Sequence, residues 1–299
     1  MKPMKRRTFI KTTALGTAAA VLSVNHIKAE DTLPEAVWVE NGEPKELFER
    51  AIKEMGGLER FISKDDVVVV KPNIGWDRAP EYAANTNPDL IEAIIKECFK
   101  VGAKKVKVFD RTCNNPQRCY RNSDIEAKAK AAGAETFHMK KNRYKRLKVN
   151  GELVKEWPIY KDYLDADKVI NVPIAKHHSM ATVSLGLKNL MGVFGQDRGK
   201  VHKDFSTRLI DIDKEILPQL TIIDGYRILT NHGPRGGNLE DVVMKKTLIM
   251  SPCTVNADIL ALQLFGHKLE DIDHINMAIK RGLNKYDPKT LKLKKVTLG

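Results

Sequence analysis

Unbroken apolar runs alternating with helical stripes give the first reading of this chain. Val67 to Val70 is a β-branched run behind Asp65 and Asp66, the pattern of a strand buried on both faces. Asn87-Pro88 opens a helix whose Leu90, Ile91, Ile94, Ile95 and Cys98 recur at helical spacing, with Gly102 closing it. Lys105 to Phe109 alternates polar and apolar positions and ends at Asp110. A strand, a helix and a strand in this order predict parallel pairing with a crossover helix. A helix over 123–132 and a strand over 135–139 repeat the unit. Further strands are predicted over 168–172, 220–223 and 247–250, and a helix over 255–265 ends at Gly266. The chain is therefore read as α/β, a mainly parallel sheet with helices on both faces.

One segment breaks the alternation. Asn150-Gly151 separates Leu147-Lys148-Val149 from Glu152-Leu153-Val154, and that dipeptide suits both left-handed positions of a type I′ turn. A two-stranded hairpin with a two-residue turn is predicted as an insertion near 144–157. No linker or repeat divides the remainder, and 42% apolar composition over this length can fill a core. Residues 30–299 are read as one domain.

The N-terminus belongs to neither pattern. Lys5-Arg6-Arg7-Thr8-Phe9-Ile10-Lys11 precedes a mild apolar stretch from Thr12 to Val24, and Ala29 stands before Glu30-Asp31. Paired arginines before a large apolar residue resemble the twin-arginine export signal, with Lys5 in place of the usual hydroxyl residue and Ile10 in place of Leu. The 13-residue apolar stretch is short of the roughly 20 residues that span a bilayer. This reading makes 1–29 a cleaved signal peptide and the mature protein periplasmic or otherwise exported. It makes the Tat machinery a partner and leaves no transmembrane segment after cleavage. The competing reading is an amphipathic N-terminal helix of a cytosolic protein.

Removing the signal changes the charge. The whole chain carries +13, but residues 1–29 hold six Lys/Arg and no acid, leaving 45 basic against 38 acidic residues, a net +7. Lys140, Lys141, Arg143, Lys145, Arg146 and Lys148 crowd one stretch. With Tyr144 alone beside them there is no stacking platform, so a solvated charged edge is expected and nucleic acid is not.

Chemistry concentrates just after predicted strands, where α/β sheets place their ligands. Lys71-Pro72-Asn73, Asp110-Arg111, Lys176-His177-His178 and Asp224-Gly225 all fall there. They either share one rim or serve as ordinary polar loops and caps. Lys71, Lys176, Lys188 and Arg198 would make a cationic rim for a carboxylate or phosphate. Gly233-Pro234-Arg235-Gly236-Gly237 would supply backbone amides to the same small anion. A divalent metal would instead need His177 or His178 to meet His202, with Asp224 or Asp258. Adjacent histidines point to opposite sides of a strand, so at most one faces a given pocket.

The same residues carry a resemblance. Lys71-Pro72-Asn73, Asn171 to His178, Gly186-Leu187-Lys188-Asn189-Leu190-Met191-Gly192, Ile223-Asp224-Gly225, Gly233 to Gly237 and Asn256-Ala257-Asp258 are similar to the domain of unknown function 362 family over about 65–270. The resemblance implies an α/β domain, and some members are fused to ferredoxin modules. This chain has no Cys-x2-Cys-x2-Cys run, so no ferredoxin-type iron–sulfur cluster of its own is expected.

Of the four cysteines, Cys98 and Cys253 are read as buried thiols. Cys113 and Cys119 share a polar loop, and in an oxidising compartment a disulfide worth about 2 kcal/mol is expected. A redox-active or metal-holding thiol pair is the alternative. Two functions remain open. The first is an exported anion-, metal- or cofactor-handling protein in a redox setting, with Lys71, Asn73, Asp110, Lys188 and Asn189 binding ligand and Lys176, His177 and Asp224 as proton-transfer candidates. The second is a non-catalytic periplasmic partner of a membrane-bound redox complex.

Overall fold

The computed structural model describes residues 33–299, so the twin-arginine segment lies outside the described residues. The chain builds β1 (Ala36–Glu40), α1 (Pro44–Glu54), β2 (Val67–Pro72), α2 (Pro88–Lys100), β3 (Lys105–Val108), α3 (Pro116–Asn122), α4 (Ile125–Ala131) and β4 (Glu135–Thr136). It continues through β5 (Tyr144–Lys148), β6 (Glu156–Tyr160), α5 (Lys161–Leu164), β7 (Lys168–Val172), β8 (Ile174–His178), β9 (Thr182–Ser184) and α6 (Gly186–Asn189). The last third adds α7 (Phe205–Asp213), β10 (Leu220–Leu229), β11 (Val242–Ser251), α8 (Thr254–Ala261), α9 (Asp273–Lys280) and β12 (Leu293–Thr297).

One sheet runs in the order β12-β1-β11-β10-β7-β2-β3-β4, with β8 and β9 branching from β10. Strands β10, β7, β2, β3 and β4 are mutually parallel, and β11 alone on this path runs against its neighbours. The fold is the expected α/β class. Alternation along the central strands feeds two cores. Val69, Val169 and Ile223 enter the core under α7, α8 and α9, while Val68, Val70, Ile170 and Ile222 enter the one under α1, α2 and α4. The apolar stripe of α2 is buried from Leu90 to Cys98, and Asn87 caps it by accepting from the Asp89 amide.

Strand β2 leads to β3 and β4 on one side, and the chain then returns to β7 on the other. The connections therefore leave in opposite directions at the carboxyl ends of β2 and β7, which opens a crevice there. After β7, Pro173 interrupts the ladder, and β8 pairs with the far half of β10.

The hairpin forms with register Tyr144↔Tyr160 to Lys148↔Glu156, but not with its turn at Asn150-Gly151. Val149 and Gly151 donate to the carbonyls of Lys155 and Val154, at 2.8 and 3.2 Å, and the chain reverses at Glu152-Leu153, wrapped on a buried carboxylate. The amides of Glu152, Leu153 and Val154 all donate to Asp211, at 2.9, 2.7 and 2.9 Å. Three charge-assisted bonds outweigh the local preference of Asn150-Gly151 for a two-residue turn. The predicted helix over 123–132 forms as α4, and a further short helix, α3, precedes it, with Asp124 between them at φ 61°.

Candidate functional site

A cleft of about 360 Å³ opens at this crevice, lined among others by Asn73, Trp76, Asp110, Arg111, Cys113, Lys176, His178, Lys188, Asn189, Arg198 and His202. Its floor is a polar network in which every member is held. Lys71 is fully buried (0% exposed) and its Nζ donates to Asp110 Oδ1 at 2.8 Å, to Asn189 Oδ1 at 3.1 Å and to the Pro72 carbonyl. The other Asp110 oxygen accepts from the Ile74 amide at 2.7 Å. Asn189 also donates to Asn171 Oδ1 at 2.8 Å and accepts from Asn73 Nδ2 at 3.2 Å. Any side chain at Gly192 would fall on Asp110 Oδ1 and the Lys71 amine, so only a glycine backbone fits over this pair.

The walls are cationic. Lys176, on β8, is 1% exposed and donates to Asn73 Oδ1 at 3.1 Å and to the Ala84 carbonyl. Burial, with Lys188 and Lys71 nearby, pushes its pKa down to about 7. Lys188, on α6, is 8% exposed, and burial with Arg198 nearby brings it to about 8. Its Nζ meets Met191 Sδ at 3.7 Å and His202 Nε2 at 3.4 Å, and lies 4.8 Å from the Phe205 ring centroid. Arg198 is fixed by the carbonyls of Arg111 and Thr112, at 2.8 and 3.3 Å, and its Nη2 donates to Cys113 Sγ at 2.9 Å. Asp110 is the one carboxylate lining the cleft among the described residues, and Lys71 already neutralises it. A buried cation without a counter-charge is costly, so this wall favours an anion from solution.

The histidines do not gather around a metal. His178 faces the cleft and its Nδ1 accepts from the amides of Met180 and Ala181, at 3.1 and 3.3 Å. His177 points to the other side, as alternation along β8 requires, and its Nδ1 accepts from the Gly233 amide at 3.1 Å. The rings of His178 and His202 stack with centroids 6.2 Å apart. Asp258 spends both oxygens on the amides of Gly186 and Leu187, at 2.6 and 2.9 Å. Among the described residues no three His, Cys, Asp or Glu are placed to share a metal ion, which corrects the His177, His178, His202 and Asp258 expectation.

Other expected residues serve the scaffold. Asp224 is not at a strand end, because β10 continues to Leu229 and pairs Asp224 with Leu248. Its carboxylate accepts from the Asn87 and Tyr226 amides, at 2.7 and 3.1 Å, away from the cleft wall. The glycine loop packs on β8 instead of presenting amides. The Gly233 amide is spent on His177, Gly236 donates to the His232 carbonyl at 3.2 Å, and Arg235 is exposed; only Pro234 reaches the cleft. Cys113 and Cys119 are both free thiols. Cys119 turns from α3 into the core beneath the Gly75 carbonyl, whereas Cys113 turns outward to Arg198. In the apolar wall formed by Trp76, Met180 and Met191, Met191 lies in the Gly186–Gly192 segment that carries the resemblance, whereas Trp76 and Met180 had no signal in the sequence.

Fold and site together define an α/β protein with a cationic cleft at the turning point of a parallel sheet. The family described as a domain of unknown function (DUF362) matches residues 68–263, and the chain belongs to it. A thylakoid-associated protein of Synechocystis sp. is 25% identical over 199 residues, 64% of this chain and 61% of that protein's length. Two solved structures align at TM-score 0.41. The lactate racemase apoprotein of Thermoanaerobacterium thermosaccharolyticum has 12% identity, covering 71% of this chain and 53% of that one. A Thermotoga maritima protein has 10% identity, covering 80% and 60%.

Proposed function

We propose that this DUF362 protein binds a small anion, a carboxylate or phosphate, in the cleft at the carboxyl edge of the sheet. The observation that carries the reading is the convergence of Lys176, Lys188 and Arg198 on one wall whose single carboxylate is already paired. The bound anion would take the place of a counter-ion and favour the charged form of both lysines. Affinity should therefore fall as pH rises through about 7 to 8, the range where Lys176 and Lys188 lose their protons. Isothermal titration of the purified protein with oxalate and with inorganic phosphate, at pH 6.5 and pH 9, tests this. Binding that is absent, or is unchanged by Lys188→Met, sinks it.

The same proposal has the protein exported through the twin-arginine route, on the strength of Arg6-Arg7-Thr8-Phe9 and the apolar stretch behind them, to serve a membrane-bound redox complex. The thylakoid association of the Synechocystis relative fits a membrane partner. Replacing Arg6 and Arg7 with lysine should trap the chain in the cytoplasm, and fractionation that finds it still exported refutes this half.

A further inference from the structure

Three buried lysines meet near the cleft floor, and their surroundings differ in kind. Lys71 has a carboxylate and two further oxygens. Lys176 has a carbonyl and an amide oxygen. Lys188 has neither: its amine is surrounded by a thioether, an aromatic face and an imidazole nitrogen. An ammonium carries three donors and seeks oxygens; a thioether, a ring face and one imidazole nitrogen are weaker partners, so the charged form of Lys188 is the least stabilised of the three. The buried carboxylate of Asp213 favours the charged form of this amine from a distance, but both its oxygens are unpartnered, so it makes no hydrogen bond that would lock Lys188 in that state.

The imidazole is oriented to help. His202 Nδ1 lies 3.3 Å from the Gly199 carbonyl. A carbonyl only accepts, so Nδ1 carries the proton and Nε2 presents its lone pair to Lys188. Burial lowers the His202 pKa below the usual histidine range, which keeps that lone pair available. A desolvated amine beside further cations is the environment that activates lysine towards carbonyls.

We infer that Lys188 is a carbonyl-capturing amine and that the anion of this cleft belongs to the 2-oxo acid class, its acid group held by Arg198 and Lys176. The inference rests on the anion-binding reading above. The Lys188 nitrogen attacks the carbonyl carbon, a C–N bond forms, and the C=O π pair moves to oxygen. His202 Nε2 takes the proton released from nitrogen and returns it to that oxygen. Loss of the hydroxyl group with a second proton leaves the imine, so amine plus carbonyl gives imine plus water with no oxidant or reductant. The apolar wall of Trp76, Met180 and Met191 would face the rest of the molecule and limit its hydrolysis by bulk water.

Reductive trapping tests this. The purified protein is incubated with pyruvate or glyoxylate and sodium cyanoborohydride at pH 8, then analysed by intact mass and peptide mapping. The expected result is one adduct per chain, mapped to Lys188, suppressed by excess oxalate and lost in Lys188→Arg protein that retains wild-type circular dichroism. His202→Gln should slow adduct formation by about 100-fold. If Lys188→Arg fails to fold, the wild-type map decides alone. Label absent from Lys188, or spread over exposed lysines and indifferent to oxalate, overturns the inference. If oxalate still binds in that case, only the carbonyl chemistry falls. If oxalate does not bind either, the anion cleft falls with it.

Discussion

Lys71 and Lys188 lie under the same cleft, one at the end of β2 and the other on α6, in surroundings that obey opposite rules. Around Lys71, each buried donor has an acceptor: Asp110, Asn189, Asn73 and Asn171 form a closed network with the ends of β2 and β7. Around Lys188, ionisable groups are buried without such closure. Both oxygens of Asp213, which is 0% exposed, and Nε2 of His274 have no hydrogen-bond partner. Burial raises Asp213 well above its ordinary range, with Asp258 nearby adding to the shift, and it lowers His274 to about 3. A closed network makes a rigid floor. An open one leaves protons free to move, as a reactive wall needs.

Breaking the closed side should cost most. Asp110→Ala strands the Lys71 charge in the interior, and equilibrium denaturation should report a loss of about 3–5 kcal/mol. Next comes the pH response of a buried carboxylate beside the open side. Asp258 holds its proton to about pH 7 when folded, against an ordinary value of 3.8. Between these limits the folded state carries the extra proton, so its contribution is present at low pH and lost as pH rises from about 4 to 7. Relative to Asp258→Asn, the wild type should lose roughly 4 kcal/mol over that interval, measured by denaturation at successive pH values. A slope identical in both proteins would place the proton elsewhere.

Ligand should act on the open side alone. Oxalate at about 100 times its dissociation constant should stabilise the fold by about 2.7 kcal/mol, and thermal denaturation should show the gain vanish in Lys188→Met. Asp213→Asn should stabilise the protein by about 1–3 kcal/mol at pH 8, because it removes an unpartnered carboxylate, and the gain should shrink at pH 4. The smallest effect calibrates the rest. Arg146 and Glu156 form an exposed ion pair on the hairpin, and Arg146→Ala should change stability by less than about 1 kcal/mol.

Strands that announce themselves by local composition were readable: Val67–Val70 and the stripe from Leu90 to Cys98 depend only on burial and period. The hairpin turn was not, because the group that reshapes it, Asp211, stands 57 to 59 residues away from the amides it accepts. Strands β1 and β12 escaped notice because each is stabilised by pairing across the whole chain. At the site, Lys71, Asn73, Asp110, Lys176, Lys188 and Asn189 could be proposed together because most of them follow strands. Asp224 looked equivalent only while β10 was thought to end at Ile223. Asp213 gave no sign, since the last residue of a helix is ordinarily a place for water.

The pairing of β1 with β12, from Ala36↔Leu293 to Glu40↔Thr297, has a practical meaning. Because the two strands are parallel, the described chain enters at one end of this pair and leaves at the other, on an edge that β11 and β10 separate from the cleft strands β7 and β2. A fluorophore, tether or fusion partner attached at either end would leave the ligand's approach open. A bridge long enough to run the length of the pair, about 16 Å, should permit new termini elsewhere on the surface, and so a handle could be moved around the molecule without touching its pocket.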